Sequence, residues 1–140
     1  MEASLKKREP IKVILDSNAL FVPLEFKLDI YNELSDLLNR SIECILLSPV
    51  KRELELLANR EPAKIRRQAI FALQYAEKCK LVTVEDKGET TDDVIVRVAR
   101  KWNCPVFTND RVLRRRLRDI SVPVIYLRQK SRLYIDGLIS

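Results

Sequence analysis

The 140-residue sequence contains no histidine. This absence excludes Ser-His-Asp triads, Cys-His dyads and acid–base catalysis by imidazole, because each of these mechanisms needs a histidine side chain. If the chain is an enzyme, its chemistry must therefore depend on carboxylates, lysines, hydroxyl groups or a bound metal ion.

Cysteine and glycine are both scarce. The three cysteines, Cys44, Cys79 and Cys104, are far apart, and no pair has the CxxC spacing of a zinc site. A scattered, odd-numbered set builds no disulfide framework, so we expect buried or half-buried free thiols in a reducing compartment. With only two glycines in the chain, flexible linkers are not expected.

Long apolar runs are also missing, since a membrane span needs about 20 consecutive residues and the apolar runs here are only strand-sized. Residues 1–10 are charged and lack the apolar segment of a signal peptide. We therefore expect a cytoplasmic protein with no membrane contact. Residues 1–10 should form a charged arm, 11–130 one domain, and 131–140 a tail that is a last strand, a short helix or an interface segment.

Short β-branched runs alternate with segments of helical periodicity. We predict strands at residues 11–15, 43–47, 81–84, 105–108 and 123–127, and helices at 27–40, 49–59, 62–78, 93–102 and 111–118. Strands separated by helices need crossover connections, which favour a mostly parallel sheet with helices on both faces. The predicted fold is α/β, a three-layer Rossmann-like domain with a central sheet of about five strands.

Polar side chains follow the carboxyl ends of three predicted strands, where reactive groups gather in parallel sheets. They are Asp16, Ser17 and Asn18 after the first strand, Ser48 after the second, and Thr108, Asn109 and Asp110 after the fourth. Ser48 is followed by Pro49, which is the preferred order of cap and proline at a helix start.

Two further acids are distinguished by their helical phase. Glu53 shares an apolar stripe with Val50 and Leu54, where a carboxylate is costly without a partner or a metal. Asp92 shares a stripe with Ile95 and should point inward, whereas Asp93 suits an exposed ion-pair face. The alternatives are a boundary glutamate paired with an arginine at Glu53 and an N-cap at Asp92.

The topology places four carboxylates, Asp16, Glu53, Asp92 and Asp110, near one end of the sheet. Asp16 and Asp110 could each cap a turn or helix, but four clustered acids repel and would take up protons unless a cation neutralised them. Oxygen ligands without histidine or cysteine suit Mg²⁺ or Mn²⁺. Asn18 and Thr108 could orient these ligands or a water molecule.

Four segments resemble, in order, the motifs of the PIN-domain ribonucleases. They are ILDSNAL around Asp16, KREL around Glu53, TDDVI around Asp92, and TNDR around Asp110. The resemblance covers residues 11–127 and implies a PIN domain acting as a metal-dependent endoribonuclease that leaves 5′-phosphate ends. It implies catalytic metal binding by these four acids with Asn18 and Thr108 close by, and it leaves open whether Asp92 or the supporting Asp93 binds the ion directly.

Within this family, TNDR followed by arginines is similar to the ribosomal-RNA-processing branch, while VapC-type toxins share the same four acids. The resemblance implies RNA as a partner, with an antitoxin or a ribosome-assembly protein, and it suggests a homodimer. The chain lacks the zinc ribbon of the PIN nuclease that matures the small-subunit RNA. A PIN fold that binds without cutting usually lacks some of the acids, and here all four are present.

Two phosphotransfer folds compete with this interpretation. A receiver domain would need a lysine near its fifth strand, but that strand is followed by Arg128. A haloacid-dehalogenase-type phosphatase would need a second aspartate where Asn18 stands.

The net charge of +6 and a pI near 9.4 suit a polyanionic partner. Four arginines at i, i+3, i+4 and i+7 form one stripe of a predicted helix that begins beside Asp110: Arg111, Arg114, Arg115 and Arg118. The stripe is either a solvated face or an RNA-binding face that contacts phosphates, and its position next to the acids favours RNA. Trp102 and Tyr126 are expected to pack rather than to stack on bases.

Overall fold

The computed structural model describes residues 9–139, so most of the predicted arm at residues 1–10 lies outside the described residues. The strands are β1 (Ile11–Leu15), β2 (Ile42–Leu47), β3 (Lys80–Val82), β4 (Val106–Phe107), β5 (Val124–Arg128) and β6 (Arg132–Asp136). The helices are α1 (Ser17–Leu20), α2 (Val22–Phe26), α3 (Ile30–Leu38), α4 (Ser48–Leu57), α5 (Ala63–Ala76), α6 (Thr91–Trp102) and α7 (Arg111–Asp119).

The six strands form one sheet in the order β3-β2-β1-β4-β5-β6. Strands β1 to β5 pair in parallel, and β6 pairs antiparallel with β5, with Tyr126 opposite Tyr134. The predicted α/β fold with a mostly parallel sheet is therefore confirmed. The sheet gains a sixth strand because residues from the C-terminal tail turn back along β5.

The order in which successive strands are added to the sheet reverses between β1 and β4. From β1 the chain proceeds outward to β2 and β3 on one side, and from β4 to β5 and β6 on the other. Ligands of open parallel sheets bind at this kind of switch point, in the crevice beyond the carboxyl ends of the strands. In this protein the crevice is bordered by the residues that follow Leu15 and Phe107.

Capping interactions explain why helix ends in the structure differ from those predicted from periodicity. Helix α3 is shorter than predicted because the Asp29 side chain caps it, accepting bonds from the Tyr31 and Asn32 amides at 3.1 and 3.4 Å. It ends at Leu38, and the C-cap residue Asn39 has a left-handed φ of 51°. The expected cap at Ser48 is wrong: Leu47 occupies the N-cap, and the Ser48 hydroxyl accepts a bond from the Val84 amide at 3.0 Å instead.

One apolar cluster fills the space between the sheet and its helices, including Ile14, Leu15 and Phe107 from the two central strands. Trp102 packs against this cluster as predicted, whereas Tyr126 is not part of it. The predicted state of the thiols is confirmed, since Cys44 and Cys104 are buried, Cys79 is half-buried, and all three are free. Within residues 9–139 no helix combines the length and apolar character needed to cross a bilayer.

Candidate active site at the carboxyl ends of β1 and β4

Asp16 is the most enclosed acid of the crevice, with 4% of its surface exposed. It follows β1 directly and caps α1, so its Oδ1 accepts a bond from the Ser17 amide at 2.8 Å. Its Oδ2 accepts bonds from the Thr108 hydroxyl at 2.7 Å and from Asn18 Nδ2 at 2.9 Å. Three donors therefore fix the orientation of this carboxylate, which is an arrangement that metal-ligand carboxylates commonly have.

Thr108 connects the two central strands through its hydroxyl group. The side chain is fully buried at the end of β4, donates to Asp16, and accepts a bond from the Asp110 amide at 3.1 Å. Asn18 Nδ2 also approaches the same hydroxyl oxygen at 3.3 Å, and Asn18 Oδ1 accepts a bond from the Asn109 amide at 2.9 Å. The predicted supporting residues Asn18 and Thr108 thus lie together beside Asp16.

Asp110 caps α7, as its position after a strand suggested. Its Oδ1 accepts bonds from the Val112 and Leu113 amides at 2.8 and 3.1 Å. Asp110 therefore caps the helix and also lies in the crevice, because its carboxylate is close enough to Asp16 to add to the rise in the pKa of Asp16. A helix N-terminus also stabilises negative charge at this position.

Glu53 reaches the crevice from α4, where it is half-buried one residue before the fully buried Leu54. Burial raises the pKa of Glu53, and the nearby hydroxyl groups of Thr91 and Ser17 partly oppose that rise. None of the ion pairs in residues 9–139 involves Glu53, so the alternative of a glutamate paired with an arginine is wrong for this part of the chain. Thr91 and Ser17 are the first residues of α6 and α1.

Asp92 and Asp93 occupy different environments at the start of α6. Asp93 completes a capping box with Thr90 and forms an ion pair with Arg116 at 2.8 Å. These contacts lower the pKa of Asp93, Arg116 contributing most. Asp92 is not the N-cap; burial raises its pKa most, and Asp16 and Asp110 lie close enough to raise it further. The geometry therefore separates a structural acid, Asp93, from an acid in the crevice, Asp92.

Burial and mutual repulsion act in the same direction on three of the acids. Desolvation is the largest cause that raises the pKa of Asp16, of Glu53 and of Asp92. Neighbouring carboxylates add to it: Asp110 raises the pKa of Asp16, while Asp16 raises those of Glu53 and Asp92. Such a group of acids favours either bound protons or a bound cation.

The chemistry of this donor set fits a hard divalent cation, because all the candidate ligands are carboxylate oxygens. No three acidic or thiol side chains in residues 9–139 converge tightly enough to form a ready-made metal centre. The carboxylates nevertheless lie within electrostatic reach of one another across the crevice. A cation between them would relieve the repulsion that raises their pKa values.

We expect Glu53→Gln to stabilise the metal-free protein slightly at neutral pH. The folded-state pKa of Glu53 is raised, so its contribution to stability is full below its ordinary value of 4.5 and is lost as pH rises through the folded pKa. Glutamine keeps the acceptor oxygen without the charge. In EDTA at pH 7, the melting temperature should rise on the order of 1 °C, and the difference should vanish below the ordinary pKa.

The matched control is Glu55→Gln, because Glu55 is an exposed glutamate on the same helix. Thermal unfolding of the three proteins at several pH values measures the effect. A Glu53→Gln variant that melts lower than wild type at pH 7 would show that this carboxylate is stabilising as it stands.

The four arginines of the predicted stripe divide into two pairs. Arg111 and Arg115 are exposed. Arg114 and Arg118 are half-buried and both contact Asp136 of β6, at 3.2 and 3.3 Å. Half of the stripe therefore attaches the last strand to α7, which the local sequence pattern did not indicate.

Sequence reasoning missed two roles near the crevice. Arg116, which has no predicted role, pairs with Asp93 and lies close enough to Asp92 to offset part of the rise that burial and Asp16 cause in the pKa of Asp92. The Asn109 side chain accepts a bond from the Leu127 amide at 2.8 Å and so joins β4 to β5. The only sequence signal for Asn109 is its place in a polar run after a strand, whereas Arg116 gave none.

A family model described as a PIN like domain matches residues 13–130. Ribonuclease VapC4 of Methanocaldococcus jannaschii is 30% identical over 129 residues, which cover 91% of this chain and 98% of the relative. Ribonuclease VapC9 of Archaeoglobus fulgidus is 29% identical over 139 residues, with 99% of each chain covered.

The solved structure of the PIN domain endonuclease Utp24 superimposes with a TM-score of 0.78 and 27% identity, covering 93% of this chain and 94% of that one. A domain of a functionally unknown protein from Methanocaldococcus jannaschii shares the fold, with a TM-score of 0.62 at 18% identity over 93% and 99% of the two chains. With the family model covering most of the sequence and a relative aligned over nearly its full length, the chain belongs to the PIN-like domain family.

Proposed function

We propose that this protein is a metal-dependent endoribonuclease that hydrolyses RNA phosphodiester bonds with Mg²⁺ or Mn²⁺ as cofactor. The observation that carries the proposal is that acids from separate elements border one crevice, where burial and neighbouring carboxylates, Asp110 among them, raise the pKa values of Asp16, Glu53 and Asp92. The relatives named ribonucleases and the structurally similar endonuclease support the same activity.

In this proposal Asp16, Glu53, Asp92 and Asp110 hold the cation. A divalent ion bound there would activate water and stabilise the charge that develops on the phosphodiester in the transition state. Asp16 is the ligand with the most restricted orientation, because Ser17, Asn18 and Thr108 all donate to it. Thr108 and Asn18 are positioning residues, and Asp93 supports the start of α6 through its capping box.

RNA would approach over α7, whose first residue, Arg111, follows the proposed ligand Asp110. The exposed Arg111 and Arg115 are available to phosphates, while Arg114 and Arg118 share their charge with Asp136. Phosphate contacts of this kind supply sequence-independent affinity that falls with added salt.

Two biological roles fit this activity. The likeness to proteins named VapC favours a toxin held in check by an antitoxin partner, and the likeness to Utp24 favours RNA processing, such as maturation of ribosomal RNA with an assembly protein. A homodimer is part of the proposal for either role. Growth arrest on induced expression, abolished by Asp16→Asn, would support the toxin, whereas cleavage confined to one site of precursor ribosomal RNA would support processing.

The activity is tested with a labelled pool of single-stranded and structured RNA incubated with Mg²⁺, Mn²⁺ or EDTA. We expect cleavage only in the presence of a metal ion, with products that a 5′-phosphate-dependent exonuclease degrades. Equal cleavage in EDTA, or salt-sensitive RNA binding with no cleavage under any condition, would contradict the proposal, and the second outcome would favour a binding module.

A further inference from the structure

A groove of about 480 Å³ leads away from the crevice between the first turn of α7 and the end of β5. Its lining residues are Thr108, Asn109, Arg111, Arg114, Tyr126, Leu127, Arg128 and Gln129. Thr108 is among these lining residues and its hydroxyl donates to Asp16, so the groove begins one hydrogen bond away from a proposed metal ligand. Three of its lining residues are arginines, and none of the described residues that line it is acidic.

Planar side chains form a row, of which Arg114, Tyr126 and Arg128 line the groove and Tyr134 stacks on Tyr126. The Arg114 guanidinium lies over the Tyr126 ring at 3.7 Å, and the Tyr126 ring stacks with Tyr134 at 6.1 Å between centroids and 28° between planes. The Arg128 guanidinium lies over the Tyr134 ring at 5.3 Å. The row therefore contains four side chains from α7, β5 and β6, with an arginine at each end and the two tyrosine rings between them.

The antiparallel register of β5 and β6 explains why the row exists. Tyr126 pairs with Tyr134 and Arg128 with Arg132, so these residues share one face of the hairpin, while Leu127 and Leu133 lie on the other face. On the opposite face, Leu133 is buried and Leu127 packs against the core. On the face with the row, Tyr126 and Tyr134 are half-buried, and neither tyrosine belongs to the core cluster.

We propose that this arginine–tyrosine groove binds an unpaired nucleotide of the RNA substrate next to the cleaved phosphate. The proposal rests on the endoribonuclease function, since it assigns part of the same substrate. An unpaired base is a flat π system that stacks on tyrosine rings and guanidinium planes, and a paired base cannot enter the row. The exposed Arg111, at the end nearest Asp110, binds the phosphate of that nucleotide.

The alternative is that the row only stabilises the hairpin, and binding measurements separate the two. We would measure fluorescence anisotropy in EDTA with a short single-stranded RNA, its duplex, and single strands with one base removed at each position in turn. For wild type, removal of one particular base should weaken binding about tenfold. The Tyr126→Leu variant should bind the intact strand about tenfold more weakly and should lose the response to base removal, whereas Tyr126→Phe should behave like wild type.

The proposed contact between Arg111 and the phosphate predicts a different result in the same binding assay. Arg111→Gln should weaken binding to the intact and the abasic strands by the same factor and reduce the salt dependence by about one unit of slope. Arg100→Gln is the matched control, because Arg100 is exposed near the far end of α6. It should change neither the affinity for RNA nor the response to base removal.

A wild-type protein that is indifferent to base removal at every position would overturn the proposal, and this measurement does not depend on any variant folding. A Tyr126→Leu variant with wild-type melting and wild-type affinity would also overturn it. Failure of the endoribonuclease function would appear instead as absent cleavage in Mg²⁺ or Mn²⁺, with the dependence of binding on an unpaired base intact.

Discussion

Replacement of Asp16 by asparagine is expected to reduce metal-dependent RNA cleavage by a factor of about 100 or more. Asp16 is nearly enclosed, and its two oxygens accept bonds from Ser17, Asn18 and Thr108. Asparagine has the same shape but replaces one of these oxygens with an amide that cannot accept, and it removes the charge that attracts the cation. Single-turnover cleavage of one labelled RNA in Mg²⁺ measures the change.

The control for this substitution is Asp36→Asn, an exposed aspartate on α3. It should cleave at the wild-type rate, while Asp16→Asn should still bind RNA in EDTA. If Asp16→Asn retained more than about a tenth of the wild-type rate, Asp16 could not be an essential ligand, and the placement of the cation beside β1 would be wrong.

Thr108→Val is expected to lower the cleavage rate about tenfold to a hundredfold, the usual effect of removing a group that orients a metal ligand. The Thr108 hydroxyl donates to Asp16 and accepts from the Asp110 amide, so valine leaves both partners short of a bond in a fully buried position. Unsatisfied buried groups of this kind also cost about 1–3 kcal/mol of stability.

Thr108→Ser keeps the hydroxyl group but removes the methyl group. It therefore distinguishes the effect of losing the hydrogen bonds from the effect of changed packing. Serine should recover most of the activity, and valine should not recover it even at temperatures far below its melting point. The measurement pairs cleavage rates with thermal unfolding for both variants. Equal activity of the valine and threonine proteins would show that Asp16 needs no orienting donor from β4.

The arrangement of the parallel core follows from local sequence. Strand β1 occupies the residues that its β-branched run predicted, and the polar residues after β1 and β4 meet at one edge because parallel strands end on the same side. Helical phase also distinguished Asp92 from Asp93, since a turn of helix has a fixed period. These features depend on contacts between neighbours in sequence or on rules of topology.

The features that the sequence did not predict depend on contacts between residues that are far apart along the chain. Arg114 and Arg118 look like the rest of an exposed stripe, and only the return of β6 along β5 brings Asp136 to them. Tyr126 looked like a packing residue because its strand is apolar, but its register opposite Tyr134 places it beneath Arg114. Such pairings arise from the three-dimensional register and have no signature in spacing.

The central claim is that the four carboxylates form one cation site, and calorimetric titration of the metal-free protein with Mn²⁺ tests it most directly. We expect Mn²⁺ binding by wild type at neutral pH, strongly weakened in each of four variants and unchanged in Asp93→Asn and Asp36→Asn. The four variants are Asp16→Asn, Glu53→Gln, Asp92→Asn and Asp110→Asn. Wild-type affinity for Mn²⁺ in all four would contradict the account, because no ion could then be held by these carboxylates.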